Sequence, residues 1–252
     1  MYNGKQRGIA LLYGVFCHAS FALGIAAMMF GLYTGLEGGR GTMTGITGCV
    51  VDVVLVLHFV VIHSFLLSAR GRVLLARFAP LGIGRELGTT SFAAIASLQL
   101  LLTFVAWSPI GPVWWQPHGA LRVLMSAAYA ISWGLLLRAM ADAGLALQTG
   151  FLGWGAVVRD RAPRYDDFPA RGLFRYVRQP IYVAFALTLW TGPVWTPDHL
   201  LLASGWTLYC VAGPALKERR YRAVYGDRFE RYRQLVPYWF PALRKLDPRL
   251  LE

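Results

Sequence analysis

Acidic side chains are scarce in this 252-residue sequence, with 13 Asp and Glu against 25 Lys and Arg, and cysteine and histidine number only three and five. Cys17, Cys49 and Cys210 lie scattered in apolar segments without metal-ligand spacing, so they read as small buried hydrophobes rather than a zinc or disulfide framework. Five histidines are too few for a di-iron desaturase, although His58 and His63 stand five apart. Charge is also sparse: 15% of residues are charged and 56% hydrophobic, which removes the soluble-domain classes and places the chain among polytopic membrane proteins. The first apolar run, residues 9–36, is too long for a signal-peptide core, and no small-residue cleavage site and soluble chain follow it.

Apolar spans are expected at about 9–36, 44–67, 88–107, 121–141, 181–194 and 200–216, the last two forming a short hairpin. The resulting fold class is all-α, a polytopic helical membrane bundle with a C-terminal amphipathic interfacial helix. A single domain is expected over 1–252, with N-terminal spans in 1–143 and a loop, hairpin and tail in 144–252. The net charge of +12 could suggest nucleic acid. Its distribution argues for lipid instead. All Lys and Arg except Arg40 and Arg122 fall on one side if both termini are cytoplasmic, as the positive-inside rule requires of an inner-membrane protein. Anionic headgroups then account for the charge, and no nucleic-acid partner is needed.

Polar residues at membrane depth are few: His18, Asp52, His58 and His63. Each is a functional candidate because an unpartnered ionisable group in hydrocarbon is costly. His63, nearest the cytoplasmic end, is a candidate base; for His18 and His58 an interhelical hydrogen bond is the simpler role. Haem between His18 and His58 is a further reading, testable by a Soret band. Arg138 and Asp142 lie one helical turn apart and are expected to pair. Residues 144–170 read as a cytoplasmic loop with a short interfacial piece at 151–154. Gly150 to Gly155 lacks the strand and spacing of a phosphate loop.

Residues 171–241 carry the strongest pattern. Two clusters of cations and aromatics flank the apolar hairpin, so that the hairpin brings both to one side. In order they present Arg178, Pro180, Tyr182, Glu218, Tyr225, Gly226, Tyr232, Val236 and Pro237. This series resembles the isoprenylcysteine carboxyl methyltransferase superfamily, membrane-embedded enzymes that use S-adenosyl-L-methionine. Its pattern is Arg-His-Pro-x-Tyr, an apolar hairpin, and a Glu-containing basic segment ending in Phe/Tyr-Gly-x-x-Tyr-x-x-Tyr-x-x-x-Val-Pro. Gln179 stands where the family usually has His, and Phe229 replaces the first late tyrosine. From His63-Ser64 through the turn Trp107-Ser-Pro-Ile-Gly-Pro-Val-Trp114, the chain is also similar to the family's methanethiol S-methyltransferase branch and, more loosely, to NnrU-like relatives.

The resemblance implies S-adenosyl-L-methionine as cofactor and a small thiol or other lipophilic nucleophile as acceptor. Arg175, Tyr176, Arg178, Gln179, Pro180, Tyr182, Glu218, Tyr225 and Tyr232 are the implied binding residues. Arginines at a helix start near Pro180 suit a carboxylate, Glu218 suits a ribose or the sulfonium, and the tyrosines suit adenine or the methylsulfonium. Arg178 and Arg219 are candidates to hold a thiolate, with His63 as base. Gln179 retains a donor and an acceptor but cannot titrate. With the rest of the motif intact, a hydrogen-bonding role for that position is favoured over an inactive relative. The alternative is a non-catalytic membrane subunit that keeps the fold. Oligomeric state is not legible.

Overall fold

The computed structural model describes residues 1–251, and among them no strand forms. The helices are α1 (Gly4–Tyr33), α2 (Gly45–Leu66), α3 (Ala69–Leu75), α4 (Gly88–Ala106), α5 (Gly119–Asp142), α6 (Leu145–Gln148), α7 (Phe151–Val158), α8 (Pro180–Trp190) and α9 (Pro197–Leu235). Among the described residues α1, α2, α4, α5 and α9 are long and apolar enough to cross a membrane, and α8 is a shorter apolar helix. Helices thus stand at all six expected positions, five of them long enough to span, with boundaries close to those read from the sequence. One boundary differs. The second hairpin arm does not end near residue 216; α9 runs on to Leu235. Lys217 to Tyr225 contains no helix breaker and is rich in helix-favouring Lys, Glu, Arg and Ala, so nothing stops propagation before Gly226.

The chain divides into two compact units that interleave in sequence. The first comprises residues 1–115, 146–165 and 194–202. Here Asn3 caps α1 through a reciprocal capping box with Gln6. Helix α1 packs on α4 closely enough that a side chain at Gly24 would strike the Ser97 carbonyl, the small-residue contact that membrane helices use where hydrophobicity alone cannot drive association. The piece expected to lie at the interface is α7. Its Trp154 indole donates to His18 Nε2 at 3.1 Å, and the Trp154 backbone N–H donates to Thr90. The Pro/Gly turn 107–115 is tied down by two fully buried carboxylates. Asp198 accepts from the Trp107 indole and from the backbone N–H groups of Ile110 and Gly111, and Asp52 accepts from Ser108 N–H. Asp52 is therefore a turn anchor.

The second unit comprises 116–145, 166–193 and 203–252, of which residues up to 251 are described. Helix α5 packs on α8. At its end Asp142 pairs with Arg138 at 3.1 Å, as the spacing implied, and also accepts from Leu173 N–H at 2.8 Å. That second bond pins the 3₁₀ turn Gly172–Arg175. The aromatic face of α9 is covered by protein: Phe229, Tyr232 and Val236 are buried with Phe168, Leu246 and Leu251, and Tyr221 and Tyr225 pack against them. The continuation past Tyr225 depends on Gly226, whose φ of 51° and ψ of −131° lie in a region that glycine alone adopts readily. The kink there turns the last two helical turns back onto Phe168.

Candidate active site

All the following contacts lie within the second unit. Pro180 occupies the first turn of α8, where its missing N–H costs nothing, and Gln179 is the N-cap residue. This places Arg178 and Gln179 at a helix N-terminus, where backbone N–H groups and the helix dipole favour anionic groups. Their shared partner is Glu218, which is 3% exposed and comes from α9. Gln179 Nε2 donates to Glu218 Oε1 at 2.8 Å. Arg178 Nε lies 3.6 Å from the same oxygen, and Arg233 Nε lies 3.2 Å from Oε2. A carboxylate this deep is tolerable only because two guanidinium groups and an amide surround it.

The residues after Val236 close the site. Arg178 N–H donates to the Pro237 carbonyl, and the Arg178 guanidinium lies 5.0 Å from the Tyr238 ring centroid. Burial and then the nearby Glu218 carboxylate raise the Tyr238 phenol above its ordinary pKa, against a smaller opposing pull from Arg178. Further on, Ala242 N–H donates to the Tyr176 carbonyl and Leu246 N–H to the Arg175 carbonyl. Arg175 returns the contact through Nε to the Leu246 carbonyl at 2.6 Å.

Four buried polar atoms at this centre make no hydrogen bond in the protein. Arg178 Nε and Arg233 Nε have only their ion-pair contacts with Glu218, while Gln179 Oε1, an acceptor, and Arg178 Nη1, a donor, are left over. Such orphans are rare in native proteins and mark either strain or a place for a ligand.

The structure sorts the expected residues into three groups. Arg178, Gln179, Pro180 and Glu218 converge, and Tyr182 stands in the first turn of α8 beside the Lys217 side chain. Arg175, Tyr176, Tyr225 and Tyr232 are engaged differently. Arg175 and Tyr176 hold the C-terminal segment, Tyr225 packs edge-on against Phe168, and the Tyr232 hydroxyl donates to the Phe174 carbonyl at 2.8 Å. Arg219 is exposed, and it makes no ion pair or hydrogen bond among the described residues. His63 belongs to the first unit, stacked on Phe59 and next to Phe92.

Sequence reasoning missed Arg233, Lys217, Phe174 and Tyr238. Arg233 comes fifteen positions after Glu218, beyond the Gly226 kink, so helical periodicity could not pair them. Lys217 carried little signal, being the first charge of the run Lys217-Glu-Arg-Arg220 that closes the apolar arm.

A methanethiol S-methyltransferase of Crocosphaera subtropica is 28% identical over 252 residues, covering 95% of this chain and 94% of its own length. One from Mycobacterium tuberculosis is 31% identical over 201 residues, covering 76% and 78%. Nurim of Rattus norvegicus is 27% identical over 197 residues, covering 73% and 72%. No family model matches the chain, and no solved structure matches it.

Proposed function

The chain belongs to the isoprenylcysteine carboxyl methyltransferase-like family of membrane proteins, and we propose that it is an S-adenosylmethionine-dependent methyltransferase whose acceptor is a small thiol, methanethiol first among them. The observation that carries this reading is the set of unpartnered polar atoms around buried Glu218. They fit the amino-acid end of the cofactor. Arg178 Nη1 offers a donor to its carboxylate, at a helix N-terminus that also favours negative charge, and Gln179 Oε1 offers an acceptor to its ammonium group.

When bound, the cofactor supplies an electrophilic methyl group on a sulfonium. The chain's own residues need only position, desolvate and charge-balance the reactants. A thiol reacts as its thiolate, and the guanidinium groups of Arg178 and Arg233 favour that anion by charge. Glu218 fixes both arginines, so their charge is present without rearrangement when the acceptor ionises. The Tyr238 ring packs on the Arg178 guanidinium, and the rings of Phe174 and Tyr182 pack on the Lys217 ammonium. The distribution of Lys and Arg supports an inner-membrane protein with both termini, and this site, on the cytoplasmic side.

The test is to incubate the purified protein with methyl-labelled S-adenosylmethionine and a panel of thiols, lipids and prenylcysteines. Labelled dimethyl sulfide from methanethiol is expected. Absence of any labelled product, together with absence of cofactor binding, overturns the reading. A second reading, a non-catalytic membrane subunit, is favoured by Gln179 standing in the family's histidine position; it predicts no turnover with any acceptor.

A further inference from the structure

Lys217 precedes Glu218 yet shares none of its partners. Its ammonium lies over three rings at once, 5.5 Å from the Tyr182 centroid and 5.7 Å from those of Phe174 and Tyr221. The rings come from three separate elements, α8, the 3₁₀ turn and α9. No carboxylate pairs with Lys217 among the described residues. The adjacent Glu218 is taken by Arg178 and Arg233. The arrangement is an aromatic cage holding a cation.

Ring faces attract any cation, but they bind best one that gives up little hydration on entry. An ammonium carries three N–H donors that the rings satisfy poorly. A trialkylsulfonium has no N–H at all and spreads its charge over adjoining carbon, so it suits the cage better than the lysine that occupies it. We propose that the Phe174–Tyr182–Tyr221 cage is the subsite for the methyl donor's sulfonium, and that Lys217 is its internal occupant, displaced when the cofactor enters. This rests on the reading of the site as a pocket for S-adenosylmethionine.

The consequence is a charge-sensitive exchange. The incoming cofactor brings a cation to replace the one it displaces. Methyl transfer leaves a neutral thioether in the cage, and the Lys217 ammonium can then reclaim the rings, favouring product release. Tyr225 and Tyr232 support the cage from outside: Tyr225 packs edge-on against Tyr221, and the Tyr232 hydroxyl donates to the Phe174 carbonyl.

The experiment measures dissociation constants of S-adenosylmethionine and S-adenosylhomocysteine for the full chain in lipid nanodiscs. The wild type is expected to prefer the sulfonium. Lys217→Met removes the competing cation and tightens both ligands about fivefold, whereas Tyr182→Leu weakens the sulfonium alone by about fivefold. Tyr182→Phe keeps the ring and the wild-type constants, separating ring loss from misfolding. If both ligands bind the wild type but Lys217→Met changes neither constant, or Tyr182→Leu weakens both equally, the cage proposal is overturned alone. If neither ligand binds the wild type, the cofactor reading falls and the cage proposal with it.

Discussion

Gln179 and Glu218, thirty-nine positions apart, meet through a 2.8 Å hydrogen bond in which the amide nitrogen donates to a buried carboxylate oxygen. On the proposed reading, glutamine serves at a position where the family usually carries histidine because this contact needs a donor and not a change of protonation. Gln179→Leu leaves Glu218 Oε1 with only the long Arg178 contact. It should cost about 2 kcal/mol of stability, and Gln179→His should keep most of the activity. Thermal unfolding and turnover of the two variants, side by side, check this; equal loss in both would remove the donor argument.

Glu218→Ala strands Arg178 in a poorly solvated site, while Arg233 keeps its pair with Glu230 at 2.8 Å. Breaking one side of a buried ionic cluster costs about 3 kcal/mol or more, so a large fall in melting temperature is expected, along with loss of cofactor binding. Arg178→Ala removes the donor proposed for the carboxylate. Its affinity for S-adenosylmethionine should fall at least about tenfold, as read by equilibrium dialysis. Full activity in both folded variants would sink the proposed site.

Gly226 turns the end of α9 onto Phe168 with backbone angles unsuited to a side chain. A Cβ there would meet no neighbouring atom, so Gly226→Ala tests conformation without a clash. The strain is worth about 2 kcal/mol. The segment carrying Phe229, Tyr232 and Arg233 should loosen, with faster amide exchange after residue 226 and slower exchange retained in α5.

Asp198 accepts from three donors of the 107–115 turn. Asp198→Ala leaves buried N–H groups unsatisfied and should cost about 3 kcal/mol. Asp198→Asn keeps one acceptor oxygen and should cost roughly half as much. Detergent-phase melting curves distinguish them, and identical curves for wild type and Asp198→Ala would show that the turn does not depend on this carboxylate.

Hydropathy and charge were enough to find the spans, because a 20-residue apolar helix leaves an unmistakable local record. The Arg138–Asp142 pair was legible for the same reason, being one turn apart on one helix. Asp52 and His63 were equally visible as polar groups at depth. Only packing distinguished Asp52, a turn anchor, from a reacting group. His18 likewise acquired its role from Trp154, 136 positions away.

By itself the sequence determined the element types and the motif residues Arg178, Pro180 and Glu218, all of which rest on composition, local periodicity or ordered spacing. Only the tertiary structure decided that Arg233 shares Glu218, that Arg175 is spent on the Leu246 carbonyl, and that Lys217 lies within three rings. Those outcomes depend on a kink at Gly226 and on a tail folding back along residues 175–178, and long-range contacts of that kind have no period in the chain from which they could be read.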